Sequence, residues 1–218
     1  MAILDPVKPN ILATKVIASV DRGFAEKLNL RPDQRSIAFV TCDIDDALYT
    51  ALDEATKFAE VEVVYAKSFY AGSGYPSGPL SGEILGILAA PNPAEARAGL
   101  DACVSYAEQE AWFYTADEAG DLTFFPHLIS STGSYLSAQA GIPQGQSLAY
   151  LIAPPLEATY ALDLAMKAAE VEMRVWYEPP SETNFSGGLL SGSQSACQAA
   201  CSAFQQGVLE VAANPRQY

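Results

Sequence analysis

An internal repeat constrains this sequence more than any other feature. The segment ALDEATKFAEVEV at Ala51–Val63 returns as ALDLAMKAAEVEM at Ala161–Met173, 110 positions later. Upstream, the segment Ser36–Thr41 returns as Ser147–Ile152, shifted by 111 positions. The spacing is far longer than a solenoid repeat, so the sequence predicts two copies of one domain.

Downstream of this segment, the repeat can be aligned in two ways. Gly86–Leu88 matches Gly188–Leu190 with a shift of 102, whereas Leu80–Gly82 matches Leu190–Gly192 with a shift of 110. The first alignment superposes strand on strand and helix on helix, so we prefer it. It gives copy one about eight extra residues between Val63 and Gly86, a segment that includes the long loop Lys67–Pro79, rich in glycine and proline.

Hydrophobic periodicity predicts the same order in each copy: strand, short helix, strand, helix, strand, strand, helix. Asn92-Pro-Ala-Glu95 is a strong helix start. The last helix is predicted at Gln194–Ala213, with an apolar stripe formed by Cys197, Ala200, Cys201, Phe204, Val208 and Val211. We therefore predict an α/β (α+β) fold, each copy being a small mixed or antiparallel sheet with helices packed on it. The predicted domains are residues 13–116 and 117–218, after an irregular lead-in at 1–12.

Charge and cysteine content limit the possible functions. The chain has 12 Lys and Arg against 26 Asp and Glu, a net charge of −14, which argues against binding to nucleic acid or anionic membranes. The four cysteines form no CxxC pair and are expected to be reduced core residues. Met1–Asn10 does not resemble a secretory signal, so we expect a cytosolic protein.

The repeated segment resembles a hallmark of bacterial microcompartment (BMC) shell proteins. The pattern is Asp-x-x-x-Lys-Ala-Ala-x-Val, and its residues here are Asp163, Lys167, Ala168, Ala169 and Val171. Copy one keeps the pattern except for a phenylalanine at the first alanine. A strand that ordinarily follows the Ala-rich helix stands here ahead of Ser36. The chain therefore resembles the circularly permuted, tandem members of the family, of the ethanolamine-utilisation type.

The resemblance extends through TGSYLS, PPLEATYALD, SETNFSG and GSQSACQAAC, over nearly the whole chain. It implies a homotrimer that forms a pseudohexagonal tile and packs edge to edge with other shell proteins around enclosed enzymes. It also implies a gated central pore for small molecules, a possible ethanolamine site, no required cofactor, and no enzymatic activity.

The resemblance assigns two groups of residues to the tile. The pore and its gate comprise Lys67, Ser68, Phe69 and Tyr70, and the tile edge comprises Lys57 and Lys167. The residues alone are also consistent with an ordinary surface loop for the first group. The residues alone favour solvated lysine side chains that stabilise the C-terminal ends of their helices, and the repeat and the resemblance favour the edge role.

A third group could bind the ammonium group of ethanolamine. Asp45, Asp46 and Glu83 supply carboxylates, and the resemblance adds Phe113 and Thr183. Asp45 and Asp46 are also suited to cap a helix. Glu83 stands in a predicted apolar strand, Gly82–Ala90, where a buried carboxylate would need a partner.

The only histidine, His127, could hold an adventitious zinc ion with Glu157, although one histidine cannot form a standard zinc site. The single histidine and the absence of nucleophile-elbow, phosphate-loop and dinucleotide motifs argue against an enzyme. The alternative to a shell protein is a small-molecule-binding or sensing module that uses the same carboxylates without forming a lattice.

Overall fold

The computed structural model describes residues 2–69, 80, 82–179 and 184–216. Its strands are β1 Pro6–Val7, β2 Ile11–Ile17, β3 Ser36–Cys42, β4 Glu62–Ser68, β5 Ile84–Ala90, β6 Phe113–Thr115, β7 Thr123–Ile129, β8 Ser147–Ala153, β9 Val171–Tyr177 and β10 Ser186–Gly192. Its helices are α1 Arg22–Lys27, α2 Asp45–Phe58, α3 Pro93–Gln109, α4 Ser134–Ala140, α5 Pro155–Ala168 and α6 Gln194–Ala213. No helix in these ranges is long and apolar enough to cross a membrane.

The chain divides into two compact units, each containing most of one copy. The copy-one unit comprises Pro9–Ala111 and Gly133–Leu136. The copy-two unit comprises Met1–Lys8, Trp112–Thr132 and Ser137–Tyr218. Both units are discontinuous in sequence, unlike the predicted segments 13–116 and 117–218.

The two sheets share one topology. The copy-one sheet has the order β2-β3-β5-β4, and the copy-two sheet contains the equivalent order β7-β8-β10-β9, extended by β1 and β6 beside β7. Every paired strand in the described ranges is antiparallel, so of the two predicted sheet types the antiparallel one is observed. Pro6–Val7 pairs with β6, so the predicted irregular lead-in contributes a short strand.

The cores form where alternating strand residues meet small residues on the long helices. In the copy-one unit, residues of β3 and β5 pack against α2 and α3, and Ile37, Ile87 and Ala89 form a second cluster with Leu28 and Leu30. Residues that follow α1 therefore cover part of the second face of this sheet. In the copy-two unit, the predicted α6 stripe is buried through Val208.

Local signals predicted several element boundaries correctly. The Asn92 side chain accepts hydrogen bonds from the N–H groups of Ala94 and Glu95, and thereby caps α3 as expected.

The four cysteines are free thiols and are buried, as predicted. Burial raises the pKa of the Cys42 thiol to about 12, so the thiol is protonated at neutral pH.

Candidate functional site

Carboxylates cluster where strand β3 passes into helix α2 in the copy-one unit. Asp43 follows the strand, and Asp45 and Asp46 form the first turn of the helix, where the helix dipole favours negative charge. Asp43 accepts hydrogen bonds from the backbone N–H and side-chain amide of Asn10, at 2.7 and 2.6 Å. Asp45 and Asp46 are both buried.

Asp45 is held by neighbours from α2 and from the end of β4. One of its oxygens accepts the backbone N–H of Asp46 at 2.9 Å, and the other accepts the hydroxyl of Ser68 at 2.6 Å. The Ser68 backbone N–H donates to the Tyr49 hydroxyl at 3.0 Å, and the two hydroxyls are 2.7 Å apart. This network joins a predicted ligand residue to a predicted pore residue.

The contribution of Tyr49 was missed from the sequence. Tyr49 stands four residues after Asp45 on α2, and side chains at this spacing lie on the same helix face. The spacing was therefore a usable signal. It was not decisive, because the sequence does not show that β4 brings Ser68 to that face.

The position and exposure of Glu83 differ from those predicted. It precedes β5 and is exposed, because the strand begins at Ile84 and not at Gly82. Gly82 has a φ of +63°, and a Cβ there would lie 2.3 Å from the Cys42 carbonyl oxygen, so the chain turns at this residue. The pKa of Glu83 is raised by partial desolvation and by the negative charges of Asp45 and Asp43.

The predicted pore residues are described only in part. Lys67 and Ser68 end β4, and the Phe69 backbone N–H donates to the Glu83 carbonyl oxygen at 2.8 Å. Lys67 is exposed, and Phe69 is 38% exposed. Tyr70 and the predicted ligand residue Thr183 lie outside the described residues.

Phe113 belongs to the copy-two unit and is a core residue there. Its side chain is buried, its ring stacks on Phe125 with centroids 4.8 Å apart, and it meets the edge of Phe185 at 6.1 Å. The structure thus brings Asp45, Asp46 and Glu83 into one unit and places Phe113 in the other.

The two predicted edge lysines have different surroundings. Lys57 forms an ion pair with Glu54 and its side chain is 23% exposed. Lys167 forms an ion pair with Asp163, and its side chain is 70% exposed. Lys167 is therefore the better placed of the two to reach another molecule.

The two residues of the predicted zinc site, His127 and Glu157, are both half-buried and lie in the copy-two unit. The His127 ring stacks on Phe125 with centroids 4.8 Å apart, and Glu157 lies in the first turn of α5. Across the residues that the structure describes, no group of three or more His, Cys, Asp or Glu side chains could hold a metal ion.

A buried carboxylate in the hallmark motif has a role that the sequence did not indicate. Asp53 on α2 accepts the backbone N–H groups of Gly133 at 2.6 Å and Leu136 at 2.8 Å, at the start of α4. Thr56, one turn later, accepts the N–H of Ser134 at 2.9 Å. Desolvation raises the pKa of Asp53, although the two N–H donors oppose that shift.

The whole chain is similar to known proteins. No protein-family profile matches it. It is 54% identical over 211 residues to the bacterial microcompartment shell protein EutL of Clostridium perfringens, covering 97% of each chain. The crystal structure of ethanolamine utilization protein EutL from Leptotrichia buccalis matches with 55% identity and a TM-score of 0.97, over 100% of both chains.

A more distant structure shares the fold alone. The trimeric bacterial microcompartment shell protein PduB has 18% identity and a TM-score of 0.78, with 94% of this chain and 89% of that chain covered. The same tandem fold therefore also occurs in a protein whose sequence is much less similar to this one.

Proposed function

Because this chain belongs to the EutL family of bacterial microcompartment shell proteins, we propose that it forms a homotrimeric shell tile with a central gated pore. Its role is structural and not enzymatic, as in the shell proteins that it matches. The observation that supports the trimer is the shared sheet order of the two units, β2-β3-β5-β4 and β7-β8-β10-β9. Three chains would present six equivalent domains, enough for a pseudohexagonal tile.

Lattice formation tests the shell role directly. Purified protein is concentrated and imaged by negative-stain electron microscopy, with extended hexagonal sheets of threefold tiles as the expected result. Lys167→Ala should weaken the sheets and leave the trimer intact, because its exposed side chain is proposed to contact the next tile. Arg97→Ala, on the other unit, serves as a control. Discrete particles under all conditions would instead favour a binding module.

The gate is proposed at the end of β4, where Lys67, Ser68 and Phe69 lead into the segment that contains Tyr70. Support comes from the exposure of Phe69 and from its backbone hydrogen bond to Glu83. Phe69→Ala is expected to increase solute flux through reconstituted shells, whereas Trp176→Ala, which removes another exposed aromatic side chain, should not. Equal flux in both variants would contradict the gate.

The carboxylates beside that segment are proposed to bind the ammonium group of ethanolamine. Glu83 is exposed and experiences repulsion from Asp45 and Asp43, and a bound cation would relieve this repulsion. Isothermal titration of ethanolamine should show about tenfold weaker binding for Glu83→Gln, since a hydrogen bond to a charged group contributes about 1.5–3 kcal/mol. Glu170→Gln removes an exposed carboxylate elsewhere and should bind as the wild type does.

A further inference from the structure

In the copy-one unit, the long helix of copy one contacts the start of the short helix of copy two. Asp53 and Thr56 on α2 bind the backbone of Gly133–Leu136, which includes the start of α4. The bound segment belongs to copy two in the repeat, although it packs with the copy-one unit. The long helix of copy one therefore carries a face that binds the start of the short helix of the following copy.

The equivalent face of α5 is exposed. On α2, Asp46, Thr50 and Asp53 are 7%, 2% and 1% exposed. Their repeat partners on α5 are Leu156, Tyr160 and Asp163. Leu156 is 64% exposed, Tyr160 is 39% exposed, and the Asp163 side chain is 54% exposed.

Met166 extends this α5 face, matches Thr56 of copy one, and is 38% exposed. Leu156, Tyr160, Asp163 and Met166, spaced by four, three and three residues, lie on one side of the helix. We call these four residues the α5 face. Large apolar side chains exposed together in this way indicate a surface that another protein covers.

The repeat identifies the segment that would cover the α5 face. Gly133–Leu136 corresponds to Arg22–Ala25, which begins α1. In this chain the Arg22 side chain is 92% exposed and Phe24 is 40% exposed. The start of α1 in a second chain can therefore contact α5 in the way that Gly133–Leu136 contacts α2 here.

The contact cannot be an identical one, because the two segments differ at their first residue. A Cβ at Gly133 would lie 2.4 Å from the Asp53 carbonyl oxygen, so this close backbone contact requires glycine. Arg22 has a side chain, and the N–H group of Ala25, the equivalent of Leu136, is already bound by the Asp21 carbonyl oxygen at 2.8 Å. The Arg22 guanidinium group would thus replace the backbone N–H as the donor to the carboxylate.

We propose that Asp163 on α5 of one chain binds Arg22 of the next chain, with α1 covering the apolar residues of the α5 face. This interface would close the trimer, and the inference therefore rests on the proposed function. The positive Arg22 and negative Asp163 make the two surfaces complementary, and within the described residues each forms an ion pair on its own helix, with Glu26 and Lys167.

Charge reversal tests this interface. The trimer–monomer equilibrium is measured by analytical ultracentrifugation for the wild type, Arg22→Asp, Asp163→Arg and the double variant. Each single reversal should raise the concentration of half-dissociation by about tenfold or more, because like charges would meet at every interface. The double variant should recover to within about threefold of the wild type, since the pair is restored with opposite polarity.

Two controls match the charge changes. Asp101→Arg and Lys15→Asp reverse exposed charges on other elements of the copy-one unit and should leave the equilibrium unchanged. A trimeric wild type whose single variants dissociate no more than these controls would overturn the interface and leave the shell tile standing. A wild type that never trimerises would overturn the proposed tile, and the interface with it.

Discussion

Asp53 and Asp163 occupy the same position of the repeat and have different surroundings. Asp53 is buried and accepts two backbone N–H groups, whereas Asp163 is half exposed and pairs with Lys167. A buried carboxylate is stable only where such donors compensate its desolvation. The motif residue itself does not determine which of the two environments it occupies.

Replacing Asp53 with asparagine should destabilise the start of α4. An asparagine side chain offers one acceptor and one donor group, so the N–H of Gly133 or Leu136 would lose its partner. The expected cost is about 1–3 kcal/mol in the free energy of unfolding. Urea unfolding at fixed protein concentration measures it, and hydrogen exchange at residues 133–136 should accelerate. Asp101→Asn, at an exposed helix position, is the control.

Glu83 should make the protein less stable as pH rises. Its folded-state pKa is raised, so its stabilising contribution is fully present below the unfolded pKa of about 4.3 and is lost as pH rises through the folded pKa. Glu83→Gln should therefore raise Tm at pH 7 relative to the wild type and leave a smaller difference at pH 4. An equal rise in Tm at pH 7 for Glu170→Gln would show that the effect does not come from the raised pKa of Glu83.

At the scale of elements, small residues set the distances between helices and between helix and sheet. The Cβ of an alanine at position 207 on α6 would lie 2.9 Å from the Cβ of Ala161 and 3.0 Å from its Cα on α5. Glycine there lets the two helices of the copy-two unit approach closely. Contacts with backbone atoms cannot be relieved by a rotamer change.

Gly207→Ala should therefore reduce stability although alanine favours helices. Overpacking costs about 1–3 kcal/mol, and the gain in helix propensity is about 1 kcal/mol, so we expect a net loss of about 1 kcal/mol. Gly99→Ala in α3 is the matched comparison, because the three atoms nearest to its Cβ would all belong to the Val61 side chain and not to the backbone. Denaturant unfolding should show a smaller loss, or a gain, for Gly99→Ala.

The sequence predicted elements where the signal was local. The Asn92 cap and the stripe of α6 lie within single helices, so the spacing of residues was sufficient. Strand β1 was missed because two residues have no periodicity. The predicted burial of Glu83 was wrong because the chain turns at Gly82 and the strand begins only at Ile84. The partners of Asp53 are 80 and 83 residues away, beyond any local pattern.

At the scale of the whole molecule, net charge opposes assembly. Each chain carries a charge of −14, so neighbouring tiles repel one another at long range. Short contacts at the tile edge must exceed this repulsion. The balance depends on screening by salt, because the Debye length falls from about 30 Å at 0.01 M to about 8 Å at 0.15 M.

The assembly of tiles into extended two-dimensional sheets should therefore increase with salt concentration over this range. Light scattering followed by electron microscopy measures it, and the trimer concentration is held constant. Sheets that dissolve as salt rises would show that ion pairs dominate the edge, in conflict with this expectation. Lys167→Ala should shift the salt concentration required for sheets upward.

The two short helices of the repeat are capped by different means. Asp21 caps α1 from within its own segment, whereas the equivalent Thr132 has a buried hydroxyl with no hydrogen-bond partner in the described part of the chain. In an assembly of identical single-copy chains, one substitution would alter every such position at once. Joining two copies in one gene removes that symmetry. Selection can then change one copy's helix start while the other keeps its original hydrogen bonds.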